Sequence, residues 1–378
     1  MKKIFVYAVI MILAVAAFAA PQLSGNGGYV FRYSGGKIIQ AVRDVNTYSM
    51  QVGDSFTAKI QFTLMESQAL ADSFAFNCNA PLFSQSSMAN LTFNELYLLY
   101  NGTDMGIKAG KFYTSWGTSP IANPVNLLEP YDFTDIFNSP VKKSILGVQL
   151  THWFKDGSSF EADIVPTFTP DAFPKLPSTS IENVLQTPKN VQIGARYSGF
   201  MGNYNVAVDA YHGFVHTYVP TASGTFYHPG LNAVGGELSG PVPFYSDYNL
   251  YGEGMVSLKA NGVNFTGLVG VNGFIFGQMT GLEIVRGLPG QAPGNFENAA
   301  FLYINRNVNS NTVFNGTAAI GLTDSGKTGY FATGYLNYHP TQDLSLVVGA
   351  NWSSGEKGEY FESQSSSNGF YLKGIVYL

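Results

Sequence analysis

The chain has 378 residues and a formal net charge of −5; charged residues make up 12% of it and aromatics 15%. The acidic balance argues against a nucleic-acid partner, because neutralising phosphates needs a basic face. So few charges argue against a soluble protein, and the single cysteine, Cys78, removes the disulfide-scaffold class.

The first element is Met1-Lys2-Lys3 followed by an apolar run from Ile4 to Phe18, closing on the small-x-small site Ala17-Phe18-Ala19. This predicts a cleaved signal peptide over residues 1–19 and a mature chain over 20–378 carrying about −7. Beyond it, no stretch approaches ~20 consecutive apolar residues, so no helical span is expected. In a bilayer, only a closed barrel would then satisfy the backbone.

Two-residue alternation begins soon after and recurs about every 22 residues to the last position, as in a transmembrane β-barrel. Residues 28–33 and 38–43 form a candidate first hairpin. In 56–64, Phe56, Ala58, Ile60, Phe62 and Leu64 share one face, while Thr57, Lys59, Gln61 and Thr63 share the other. Lys108 faces inward, but Lys111 falls on the outer face, so a bulge or an interfacial position is expected there. Next, Phe160, Ala162 and Ile164 oppose Glu161 and Asp163; Ile193, Ala195 and Tyr197 oppose Gln192, Arg196 and Ser198. Val206, Val208 and Ala210 oppose Asn205, Asp209 and Tyr211, and Leu250, Val256 and Leu258 oppose Glu253, Ser257 and Lys259. Residues 301–306 give no clean pattern.

Tight turns are read at 101–104, 155–158, 199–203, 260–263, 307–311 and 339–343, several carrying the Asn-Gly or Asp-Gly pairs that hairpins favour. Long connections are read at 66–90, 117–142, 170–189, 215–247 and 277–298, with 34–37 and 324–327 as short turns on the long-connection side. The expected fold is an all-β antiparallel barrel of about 16 strands, with 14 as the alternative.

Function must then lie with the lumen. The 117–142 segment holds Glu129, Asp132 and Asp135 with no base before Lys142. Carboxylates at a narrow place raise the local cation concentration. Apolar neighbours such as Leu127, Leu128 and Phe133 favour a folded constriction over a solvated surface loop, and both readings stay open. Candidate pore-wall residues are Lys59, Lys108, Arg196, Lys259 and Lys373, with Glu95, Glu161, Asp163, Asp209 and Glu253. Tyr113, Trp116, Tyr131 and Phe133 either stack sugars, form the core of a folded loop or belong to the interfacial girdle. His212 and His216 lie about 13 Å apart along a strand, too far for one metal ion. With no nucleophile elbow, zincin or phosphate-loop motif, neither an enzyme nor a cofactor is expected.

Gly110-Lys-Phe-Tyr-Thr-Ser-Trp-Gly117, followed by Asn123-Pro-Val-Asn-Leu-Leu-Glu-Pro130, resembles a stretch of several porin-like barrel families. In rhythm, the whole mature chain resembles the general trimeric porins, which have sixteen strands and a third loop folded inward. The chain ends in Leu378, where those barrels commonly end in Phe. The resemblance implies an outer-membrane homotrimer embedded in lipid. The expected function is a water-filled channel for passive diffusion of ions and small hydrophilic solutes, weakly cation-selective. The alternatives are a closed structural or adhesive barrel and a saccharide-selective channel.

Overall fold

The computed structural model describes residues 22–34, 37–52, 54–70, 88–114, 116–121, 123–132, 141–171, 190–217, 219–220, 226–259, 262–275, 277–287, 298–323, 326–356 and 368–377. The signal peptide expected over 1–19, Cys78, Phe133 and Asp135 lie outside them.

The strands run β1 (Gln22–Ser34), β2 (Lys37–Val52), β3 (Phe56–Leu70), β4 (Met88–Asn101) and β5 (Met105–Phe112). A two-residue pair, β6 (Tyr131–Asp132) and β7 (Val141–Lys142), precedes β8 (Ile145–Trp153) and β9 (Ser159–Val165). Then come β10 (Gln192–Met201), β11 (Tyr204–Phe214), the pair β12 (Val219–Pro220) and β13 (Phe226–Tyr227), and β14 (Gly230–Val242). The second half holds β15 (Tyr245–Lys259), β16 (Gly262–Ile275), β17 (Gln278–Arg286) and β18 (Asn298–Asn309). It closes with β19 (Thr312–Leu322), β20 (Thr328–Thr341), β21 (Leu344–Gly355) and β22 (Gly369–Tyr377).

Without the two short pairs, 18 strands form one antiparallel sheet, each bonded to its neighbours in sequence. β1 pairs with both β2 and β22, from Asn26↔Tyr377 to Ser34↔Gly369, so the sheet is closed. Burial alternates with the pleat. In β8, Ile145 is 2% exposed and Gln149 6%, whereas Leu146, Val148 and Leu150 are 37–40% exposed. Alternate apolar side chains turned outward all round a closed barrel make the surface of a membrane-spanning barrel.

Eighteen strands correct the expected 16 or 14. The two additional strands, β14 and β17, lie in 215–247 and 277–298, which the sequence suggests are loops. β14 reads as a loop because it carries Gly230, Gly235, Gly236, Gly240 and Pro241. Its hairpin with β15 turns at Pro243–Phe244, with Phe244 at a φ of 68°, and no Asn-Gly pair marks it. β17 follows β16 through 276–277 and sets inner Val285 beside outer Ile284, which blurs the alternation. One end of the barrel then has short turns only, at 53–55, 102–104, 154–158, 202–203, 243–244, 276–277, 310–311 and 342–343. The 260–263 turn moves to the other end, beside the connections 71–87, 113–144, 166–191, 215–229, 287–297 and 356–368.

No bulge interrupts the strand of Lys111, which keeps its register with both neighbours; the irregularity lies on β4 beside it. The β3–β4 register shifts so that Gln61 faces Glu95 and Phe62 faces Phe93, leaving Asn94 over. The Lys111 ammonium donates to the Phe93 carbonyl at 2.5 Å, beside that irregularity.

A closed ladder of this kind resists detergent until heated. Electrophoresis of unboiled protein in dodecyl sulfate should show a band displaced from the boiled form; coincident bands would contradict the closed barrel.

Candidate functional site

Among the described residues, the inner faces of β9, β10, β11, β14, β15 and β17 carry most of the interior charge. Register sets Arg196 directly between Glu161 and Asp209, and Glu237 directly opposite Glu253. Arg196 reaches Glu237 at 2.8 Å and Asp209 at 3.8 Å. Two carboxylates opposed across a ladder repel each other, so this wall needs donors from elsewhere.

The segment between β5 and β8 supplies them. The Gly117 N–H donates to Glu237 at 3.0 Å, and the Thr118 and Ser119 N–H groups donate to Glu253 at 2.5 and 2.7 Å. Three successive amides aimed at anions form a nest; here the anions are the protein's own side chains. The Trp116 indole donates to Glu161 at 2.6 Å and the Ser119 hydroxyl to Glu283 at 2.6 Å. Gly117 sits at a φ of +93°, and the Asn123 side chain occupies the space where a Cβ would stand. Only glycine allows that turn.

Apolar contacts complete the docking. Trp116, Val125 and Leu128 are at most 2% exposed and pack with Phe112, Ile145 and Val165 in one cluster. At about 1.5–3 kcal/mol for each fully buried side chain, this cluster is a principal source of the segment's order. Gly194 on β10 makes room for it, since a Cβ there would lie 2.7 Å from both Trp116 and Leu128. His216, just after β11, has its two ring nitrogens 2.6 Å from the Thr169 carbonyl and 2.9 Å from the Leu127 carbonyl. It thereby joins three connections.

Of the acids read as a constriction, Glu129 is 5% exposed. It accepts from the Thr114 backbone and hydroxyl and, at 3.0 Å, from Asn126. It braces the segment from within. Burial pushes its carboxyl above the usual range and pushes Lys142 down to about 8. Asp132 pairs with Val141 in the β6–β7 ladder, and its side chain, like Asp135, lies outside the described residues.

On the wall, Lys59 pairs with Glu95 at 2.5 Å. The Lys108 ammonium lies 5.5 and 5.2 Å from the Tyr97 and Phe112 rings. Asp163 is fully buried and accepts from Gln149 at 3.2 Å. Lys259 ends β15 opposite Gly262, its side chain outside the described residues. Trp116, read as a possible sugar platform, is buried against the wall. His212 faces outward to Asn232 at 2.6 Å, apart from His216. Two residues of the site escape a sequence reading: Glu237 and Glu283 sit on β14 and β17, the strands hidden in apparent loops.

No family model matches the chain, and no curated protein matches it. Solved structures do. The outer membrane protein opdK of Pseudomonas aeruginosa is 8% identical, with a TM-score of 0.58 over 95% of this chain and 98% of its own. A BenF-like porin of Pseudomonas fluorescens Pf-5 is 10% identical, with a TM-score of 0.57 over 96% and 98%. OccK2 (OpdF) of Pseudomonas aeruginosa, in complex with glucuronate, is 12% identical, with a TM-score of 0.58 over 96% and 98%. At these identities the likeness is one of fold: the chain has a porin-like β-barrel.

Gly194→Leu should expel Trp116 from its seat at a cost of about 1–3 kcal/mol. In a Trp153→Phe, Trp352→Phe background, Trp116 emission should shift red and become open to acrylamide; unchanged quenching would mean the seat is not needed.

Proposed function

We propose that the chain is an outer-membrane channel for passive diffusion of ions and small hydrophilic solutes, exported behind the segment 1–19. The observation that carries this is the closed 18-strand barrel, apolar outside and carrying rows of charged and polar groups inside among its described residues. The fold-level likeness to outer-membrane porins supports it. A channel needs no catalytic group, which agrees with a non-enzymatic role.

In this reading the 113–144 segment narrows the lumen, because its nest and its apolar cluster both bind the inner wall. Selectivity is weak and favours cations. The inner wall carries Glu95, Glu161, Asp163, Asp209, Glu237, Glu253 and Glu283 against Lys59, Lys108, Arg196, Lys259 and Lys373, and the segment adds Glu129, Asp132 and Asp135 against Lys142 and Lys143. Ion pairs and loop amides take up much of that charge, which keeps the preference small. Charge at a constriction still acts on ions within ~8 Å at physiological salt. The resemblance to general porins adds a homotrimer, which native mass spectrometry in mild detergent checks.

Planar-bilayer recordings in potassium chloride should show stepwise open channels. Silent insertion would overturn the channel reading in favour of a closed structural barrel. In a salt gradient the reversal potential should have the cation sign and move toward zero in the Glu129→Gln, Asp132→Asn, Asp135→Asn variant. An unchanged potential would mean the segment does not set the preference.

A further inference from the structure

The interior is divided. The inward-facing positions of β18, β19, β20 and β21 hold no Asp, Glu, Lys or Arg from residue 299 to 353. Register aligns Thr317, Thr333 and Asn351 in one row across three strands, with Asn315 and Tyr335 in the next row toward the short-turn end. Within a row the groups stand about 5 Å apart, and rows follow at roughly 7 Å. Phe331 lies one row toward the long connections. These groups bond mainly among themselves: Thr333 donates to Asn351 at 2.7 Å, and Asn305 donates to Asn315 at 2.6 Å. A carboxamide has two N–H donors and an oxygen with two lone pairs, so one bond each leaves Asn315 and Asn351 able to bind a solute. Lys373 on β22 borders the wall, its ammonium 5.0 Å from the Tyr371 ring.

Across from them, the charged strands hold much of their charge in contacts of their own. Asp163 and Asp209 are fully buried, Arg196 is paired with Glu237, and Glu253 accepts the loop amides.

We propose that the β18–β21 wall is a binding track for neutral polyhydroxylated solutes of monosaccharide size, which the channel passes in preference to charged solutes of the same size. The inference rests on the channel reading and names its substrate class. A sugar hydroxyl exchanges water for an amide or hydroxyl on this wall with no charge to compensate. An ammonium meets no opposite charge on it and a carboxylate meets only Lys373 at its border, so either loses hydration with little return. Stacked rows let the solute move on by exchanging one or two hydrogen bonds at a time.

Proteoliposomes holding the full chain would be assayed for uptake of labelled glucose, gluconate and protonated glucosamine, alongside potassium current in planar bilayers. Glucose should enter fastest. The Asn315→Leu, Asn351→Leu variant should lose roughly two- to tenfold of that advantage, the worth of about one hydrogen bond, while potassium current stays near the native value. Asn351→Asp should shift the balance toward glucosamine. Potassium current with gluconate or glucosamine entering as fast as glucose would overturn this inference and leave the channel reading standing. No potassium current would remove both. Native glucose preference is measured without any variant, so a variant that fails to fold does not shield the proposal.

Discussion

Everything else in this molecule depends on the pairing of β1 with β22. Nine residue pairs, Asn26↔Tyr377 to Ser34↔Gly369, join the first strand to the last and leave no open edge. In hydrocarbon an unpaired amide or carbonyl costs several kcal/mol, so a sheet that failed to close would carry that penalty along both edges. Closure also fixes which face each residue takes, and it is the reason an exterior of leucine, valine and phenylalanine is stable here instead of a liability.

Closing the sheet creates a second problem inside, and the segment after β5 solves it. Acids on five strands are gathered on one side, with Glu237 and Glu253 in direct opposition. The molecule balances them with one guanidinium and with peptide N–H groups from its own connection. Acidic wall and loop are therefore a single device: the acids need donors, and the loop's bent backbone needs acceptors. The same arrangement leaves the opposite wall free of this duty, and there the chain uses amides, hydroxyls and aromatic rings.

Much of this was legible in the sequence, because a strand that meets lipid on one face must alternate. Ile193, Tyr197, Val208 and Val256 face out and Arg196, Asp209 and Glu253 face in, as a period of two dictates. The reading failed where the wall had to admit the loop. β14 carries Gly235 where Val125 approaches, and with Gly230, Gly236 and Gly240 it lost the bulky alternation that marks a strand. Glu237 and Glu283 were lost with their strands, and with them the count of eighteen. Glu129 shows a different limit: composition can reveal an acid in a loop, but only packing tells whether it meets solvent or supports its neighbours.

The loop's anchors are far away along the chain. Gly117 and Glu237 are 120 residues apart, Thr118 and Glu253 135, and Ser119 and Glu283 164. When the loop's donors have been made, none of these three acceptors exists, and contacts of such separation form late and slowly. Docking must therefore wait until β14, β15 and β17 have joined the sheet. The lumen takes its final shape as one of the last acts of assembly, and a chain interrupted before β17 holds the loop with part of its seat missing.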